Sequence, residues 1–210
     1  MSDLFGLPSR ARPRRHPLER HPPARGRALL IKLNGQVDPT LLMRPFAPDD
    51  ASPLTGLLHA AYAELGAMGL NFTAVDQDVA TTARRALGGQ CWVVEQDGHI
   101  VGSLTVSLPP SATVQELTAV ARADGHAWLN QVAVSPPLRG RGIASALWRQ
   151  GRRWASANGA SSIGVDTAIP ATHLVQLYGA WGFDPVDSIH WAGKTYRSII
   201  MVRELDADDA

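Results

Sequence analysis

The sequence predicts an α/β domain, a mixed β-sheet with helices on both faces. Three observations carry that prediction. Two β-rich runs within residues 91–108 flank Asp97-Gly98, a pair suited to the positive φ angles of a tight hairpin turn. Further along, strand-like runs alternate with stretches whose apolar residues recur at helical spacing, in part but not throughout. The 210 residues, 45% of them apolar, are enough for one ordinary domain with a real core plus an extension.

The extension is residues 1–40. They hold seven arginines and many prolines without sustained periodicity, as in Arg12-Pro13-Arg14-Arg15-His16-Pro17 and His21-Pro22-Pro23. Such a segment cannot bury enough surface to offset its ordering entropy, so a disordered basic leader is expected. Residues 1–42 carry eight Lys/Arg against three Asp/Glu. A nucleic-acid or anionic-surface arm is the sharper reading of that charge. An unstructured leader, or a true start near Met43, is the blander one and is favoured. Proline this dense argues against the amphipathic helix of an organelle transit peptide. Order is expected over residues 41–204, and the acidic tail at 205–210 should fray.

Leu42-Met43-Arg44-Pro45-Phe46 reads as a short first strand. Asp49, Asp50 or Ser52 can cap a helix whose apolar face is Leu54, Leu57, Leu58, Ala61, Tyr62 and Leu65. Residues 66–72 mix glycines with apolar side chains, which suits a mobile binding loop. A second helix is expected over 76–87, closed by Gly88-Gly89. The hairpin follows, then a polar, irregular stretch at 109–125 and a strand at 128–134. A long helix ends at Asn158-Gly159, and residues 162–167 form another strand. A helix capped near Thr172 runs through Leu174, Val175, Leu177, Tyr178 and Trp181 to Gly182. Two strands, about 186–191 and 195–202, complete the sheet, and no internal repeat is visible.

The chemistry centres on the connection between the strand at 128–134 and the long helix. Val132, Ala133 and Val134 end a buried strand, and Pro136 and Pro137 forbid its continuation, since neither can donate a ladder hydrogen bond. From Ile143 onward, Ile143, Ala146, Leu147, Gly151 and Trp154 share one helical face. Between them Gly140 and Gly142 let the backbone approach a ligand closely. The unpaired N–H groups of the first helical turn, the helix dipole, Arg139 and Arg141 all add positive potential there. Such a site suits a diphosphate. A dinucleotide fingerprint is excluded by position and spacing, and the Walker Lys-Ser/Thr pair is missing. A tight structural turn without ligand is the bland alternative.

Arg139-Gly140-Arg141-Gly142-Ile143-Ala144 fits Arg/Gln-x-x-Gly-x-Gly/Ala and resembles the acyl-coenzyme A pyrophosphate loop of the GNAT N-acetyltransferase superfamily. A second segment, Leu174-Val175-Gln176-Leu177-Tyr178-Gly179-Ala180-Trp181-Gly182-Phe183, is similar to the Leu-Tyr-x-x-x-Gly-Phe pattern those enzymes show at this distance. Their usual Asn is absent, with Ala171-Thr172-His173 standing in its neighbourhood. The hairpin and residues 191–198 also look like this family, so the resemblance covers about residues 42–203. It implies a mainly antiparallel sheet with splayed central parallel strands. It further implies an N-acetyltransferase that takes acetyl-CoA as acyl-donor cosubstrate and acetylates a primary amine of a small molecule or a peptide. A non-catalytic acyl-CoA sensor or assembly module of the same fold is the alternative.

The resemblance gives the residues their roles. Val132, Ala133 and Val134 would pair with the pantetheine arm as an added strand, and an N–H there would polarise the thioester carbonyl. Arg139, Gly140, Arg141, Gly142, Ile143, Ala144 and Ser145 would hold the diphosphate. Tyr178 would be the acid for the departing thiolate, against a bland reading as a core aromatic with a satisfied hydroxyl. The base is open. His126, near the strand start, titrates in the useful range, and Asp166, His173 or ordered water are alternatives. Glu64 reads as a solvated helix residue. Lone Cys91 excludes an internal disulfide and a cysteine-built zinc site, and no metal is expected. A net charge of +1 argues against the whole protein being a nucleic-acid binder, and no apolar run reaches the roughly 18 residues of a membrane span. A soluble, cytoplasmic protein is expected, with a homodimer left open.

Overall fold

A computed structural model of the chain describes residues 28–33 and 36–206. Eight strands form one sheet: β1 Leu29–Leu33, β2 Gln36–Pro45, β3 Gln90–Gln96, β4 His99–Ser107, β5 His126–Val134, β6 Ser162–Ala168, β7 Asp184–Ile189 and β8 Ser198–Glu204. Their spatial order is β1-β2-β3-β4-β5-β6-β8-β7, and every neighbouring pair is antiparallel except β5 and β6. Six α-helices accompany them among the described residues: α1 Ala51–Ala67, α2 Thr73–Asp76, α3 Val79–Leu87, α4 Ala112–Leu117, α5 Ile143–Ala157 and α6 Thr172–Ala180. The mixed, mainly antiparallel sheet with a central parallel pair is therefore as expected.

Side-chain alternation along the strands divides the core. Trp92, Leu104 and Val106 pack with Ile143, Leu147 and Trp148 of α5 and with Tyr178 of α6. Cys91 and Ala133 point the other way, to Leu54, Leu57 and Leu58 of α1 and Ala86 of α3. Helix α5 comes unusually close to the sheet at Gly151, where a Cβ would lie 2.7 Å from Leu104 Cδ2. The β3–β4 hairpin turns as expected, with φ of 50° at Asp97 and 79° at Gly98.

Several local expectations are corrected. Order begins before residue 41: β1 and half of β2 fall within the expected leader and pair with each other. Along β1 only Ile31 is buried, too short an alternation to read as a strand against the surrounding arginine and proline. The rest of the leader, residues 1–27, and residues 207–210 of the tail lie outside the described residues. The helix expected over 76–87 is broken at Gln77 and Asp78, because Gln77 is extended (ψ 141°) and the Asp78 carboxylate caps α3 by accepting from the Thr81 N–H. The stretch 109–125 contains α4, which buries only Val114 and so carries almost no periodic signal. Asp50 occupies the N-cap of α1 without capping it. Its carboxylate instead accepts from the Ala47 N–H at 2.7 Å and from the Arg44 guanidinium at 2.7 and 2.9 Å. No helix among the described residues is long and apolar enough to cross a membrane.

Candidate active site at the strand splay

The parallel pair β5–β6 holds together only at its start, through His126, Ala127 and Trp128 opposite Ser162, Ile163 and Gly164. Beyond Trp128 the strands part. At that point β5 also bulges against β4: Ser103 pairs with Ala133 and Thr105 with Asn130, so β5 carries one residue more than its partner. The bulge forces Gln131 to a φ of 51°, and the Ser103 hydroxyl fixes it by donating to the Gln131 carbonyl at 2.8 Å. Splay and bulge together open the middle of the sheet, and two cavities enter it.

The first cavity, about 400 Å³, is lined by residues 132–134, Arg139, Gly140 and residues 142–145. These are nine of the ten residues expected to hold the donor. Gly140 and Gly142 have φ of 76° and 88°, a left-handed conformation that favours glycine, and a Cβ on Gly140 would meet nothing within 4 Å. Gly142 is the N-cap of α5, and the first intrahelical bond runs from the Ala146 N–H to the Gly142 carbonyl. The N–H groups of residues 143–145 therefore lack an intrahelical acceptor at the cavity wall. The tenth residue, Arg141, departs from expectation: it does not line the cavity, and its guanidinium lies 3.1 Å from the Asp38 carboxylate. Arg139 does line it, tied to α1 by donating to the Ala61 carbonyl at 2.7 Å and to Glu64 at 3.1 Å.

The second cavity, about 500 Å³, lies on the side of α1–α3 and the β7–β8 connection. Asn130, Gln131, Asp166, Tyr196, Lys194 and Arg85 are among its walls. Its rim is tied by Asn71, whose amide donates to the Gly193 carbonyl at 2.8 Å and whose side-chain oxygen accepts from the Thr195 N–H at 2.9 Å. Lys194 Nζ closes the same link on the Asn71 carbonyl at 2.6 Å. The expected binding loop at 66–72 is thus one side of a clamped rim.

Tyr178, Tyr62 and Leu174 line both cavities. Tyr178 is 5% exposed, and its ring is fixed edge-on by Trp181 (5.7 Å) and Phe183 (5.9 Å). Its hydroxyl makes no hydrogen bond with any described residue. Burial pushes the phenol well above its ordinary value, and the neighbouring Tyr62 and Asp166 add to the shift. Tyr62 donates to the Val132 carbonyl at 3.1 Å.

Asp166 is the one carboxylate among the described residues that line the second cavity. Burial raises its pKa against the pull of several hydrogen bonds, chief among them Trp191 Nε1, which donates to Oδ2 at 2.8 Å. His126 is not brought to this group. It is 2% exposed behind Trp128 (ring centroids 5.9 Å), shares a 2.7 Å hydrogen bond between Nδ1 and the Ser162 hydroxyl, and lines neither cavity. Burial depresses its pKa. His173 lines the first cavity only, and Glu64 is exposed at its edge. Cys91 lines neither cavity, and burial pushes its thiol up to about 12. Sequence reasoning missed Tyr62, Arg85 and Lys194 as site residues. Tyr62 was legible only as the wide end of an apolar stripe, and nothing local marks the other two.

Residues 60–183, more than half of the chain, match the model of the acetyltransferase (GNAT) family. Among solved structures, a GNAT family acetyltransferase from Listeria monocytogenes superposes with a TM-score of 0.64 at 19% identity, covering 84% of this chain and all of that one (100%). A Salmonella typhimurium protein solved with its cofactor acetyl-CoA gives 0.58 at 17% identity, over 80% of this chain and 95% of that one. A GNAT family acetyltransferase from Brucella melitensis in complex with acetyl-CoA gives 0.54 at 19% identity, over 79% and 88%. A search of curated protein sequences found no match.

Proposed function

The chain belongs to the GNAT acetyltransferase family, and we propose that it transfers the acetyl group of acetyl-CoA to a primary amine held in the second cavity. The observation that carries this reading is Tyr178: a buried phenol with a free hydroxyl that lines both cavities, one suited to the donor and the other to the acceptor.

The first cavity fits the donor. Its glycine turn exposes backbone N–H groups at residues 143–145, and a helix N-terminus is a ready anion site for the diphosphate. Arg139 adds charge at the wall, while Arg141 acts at longer range from its pair with Asp38. Beyond Trp128, β5 has no ladder partner on the β6 side, so Val132, Ala133 and Val134 offer main-chain groups to an extended arm. When bound, acetyl-CoA supplies an activated thioester. An N–H of β5 at the bulge can polarise the carbonyl as charge develops on its oxygen.

Each side chain then has a proton to hold or move. The Tyr178 phenol stays protonated at neutral pH and can give its proton to the departing sulfur. Asp166, rather than His126, is the base of this reading. It lines the acceptor cavity, its orientation is fixed by Trp191, and its raised pKa makes it a stronger proton acceptor than an ordinary carboxylate. A cytoplasmic location fits an enzyme whose one cysteine is buried and unpaired.

Thermal shift with CoA and steady thiol release with acetyl-CoA and an amine panel test the reading. Stabilisation by CoA together with amine-dependent release is the expected result. Stabilisation without release from any amine would leave only a binding site, and absence of both would remove the reading.

A further inference from the structure

Arg85 is the unexplained charge of the acceptor cavity. It lies in the last turn of α3, half-buried, where its Nη1 donates to the Gln77 side-chain oxygen at 2.6 Å. Gln77 is 5% exposed and is itself held by donating from Nε2 to the Thr82 hydroxyl at 2.7 Å. The guanidinium is thus oriented from behind by a neutral amide, and Nε and Nη2 have no partner among the described residues. The two arginines of the glycine turn behave differently: Arg139 pairs with Glu64 and Arg141 with Asp38. No described carboxylate comes within ion-pair distance of Arg85. A desolvated guanidinium without a counter-ion is costly, and burial accordingly weighs against its charged form. Arg84 and Lys194 line the same cavity, against the single carboxylate of Asp166. A simple cationic amine would enter a lining of net positive charge. A zwitterion would not meet that opposition.

We propose that the acceptor is an amine bearing a carboxylate on an apolar body, with the carboxylate paired to Arg85 and the amino group at Asp166. This deepens the reading of the cavity as the acceptor side and rests on it. Planar guanidinium meets carboxylate through two parallel N–H···O bonds, and the free Nε and Nη2 edge is the edge that makes them. Phe72, Trp128 and Tyr196 supply apolar walls for the body, in a space of about 500 Å³ that admits a molecule of amino-acid size.

The test uses carboxylates without an amine, so that binding is read without turnover. Calorimetry on the CoA-saturated protein would compare 3-phenylpropionate and 4-methylpentanoate with their carboxamides, in the wild type, Arg85→Gln and Arg85→Lys. At least one acid should bind about tenfold or more tightly than its amide. Arg85→Gln should abolish that preference and Arg85→Lys restore part of it, while both keep the CoA-induced thermal shift. Equal binding of acid and amide would overturn the proposal. So would an equal loss for both in Arg85→Gln, or no binding of either acid to a protein that CoA still stabilises. Failure of CoA to stabilise the wild type would instead remove the donor reading, and this proposal with it.

Discussion

Burial acts on Tyr178 and Asp166 in the same direction, and the proposed mechanism gives them opposite tasks. Both groups are held more protonated than they would be in water, by desolvation before any other cause. For a phenol that preserves a proton to give, and for a carboxylate it strengthens a proton acceptor. Tyr178→Phe keeps the ring against Trp181 and Phe183 and should lower kcat by about a hundredfold, with CoA stabilisation retained. Unchanged thiol release from that variant would dismiss the phenol as the acid. Asp166 must lose its proton to act, so the rate should rise with pH along a limb centred above the ordinary carboxylate value of 3.8. The Trp191 N–H stabilises the charged carboxylate. Trp191→Phe should therefore raise the Asp166 pKa further and move that limb to higher pH, which a pH–rate profile checks.

At the scale of elements, what holds the site is the seating of α5 on the sheet and of α1 beside it. Gly151→Ala would put a Cβ 2.7 Å from Leu104 Cδ2. Overpacking of this kind costs about 1–3 kcal/mol against a helix-propensity gain of up to about 1 kcal/mol, so a net loss of stability is expected in denaturant unfolding. On the other side, Arg44 ties β2 and β3 to the start of α1 through Asp50 at 2.7 Å and Glu95 at 3.0 Å. Burial opposes the Asp50 charge, but the hydrogen bonds from Arg44 and the Ala47 N–H prevail and hold its pKa below 3.8. Its contribution is therefore present above the unfolded pKa and lost as pH falls through the lower folded one. Asp50→Asn should cost about 2 kcal/mol at neutral pH and flatten that acid limb in unfolding experiments. Elements were legible where they bury a whole face or carry turn chemistry. The stripe of α5 and the Asp97-Gly98 turn do so. Strand β1 and helix α4 each bury one residue, and what orders them is packing on segments distant in sequence, Ile31 in the cluster of α5 and Val114 with Trp128, Ile189 and Ile200.

Across the whole molecule, the sheet makes room for a site by coming apart. One parallel pair, closed for three residues and then splayed, admits two cavities that meet at Tyr178. The wall of the first cavity was legible because strand end, glycine turn and helix start are contiguous in sequence, and contiguity is what a motif records. The wall of the second was not, since Tyr62, Arg85, Asp166 and Lys194 come from α1, α3, β6 and the β7–β8 connection, with no spacing to link them. His126 illustrates the same limit: its place along β5 was readable, but not that Trp128 would line the cavity while His126 is buried outside it. The central claim is that main-chain amides of the glycine turn receive the donor's diphosphate. Titrating the ¹⁵N-labelled protein with CoA reads those amides one by one. The largest amide shifts should fall on Gly140, Gly142, Ile143, Ala144 and Ser145, whereas shifts confined to other residues, or none at all, would contradict the account.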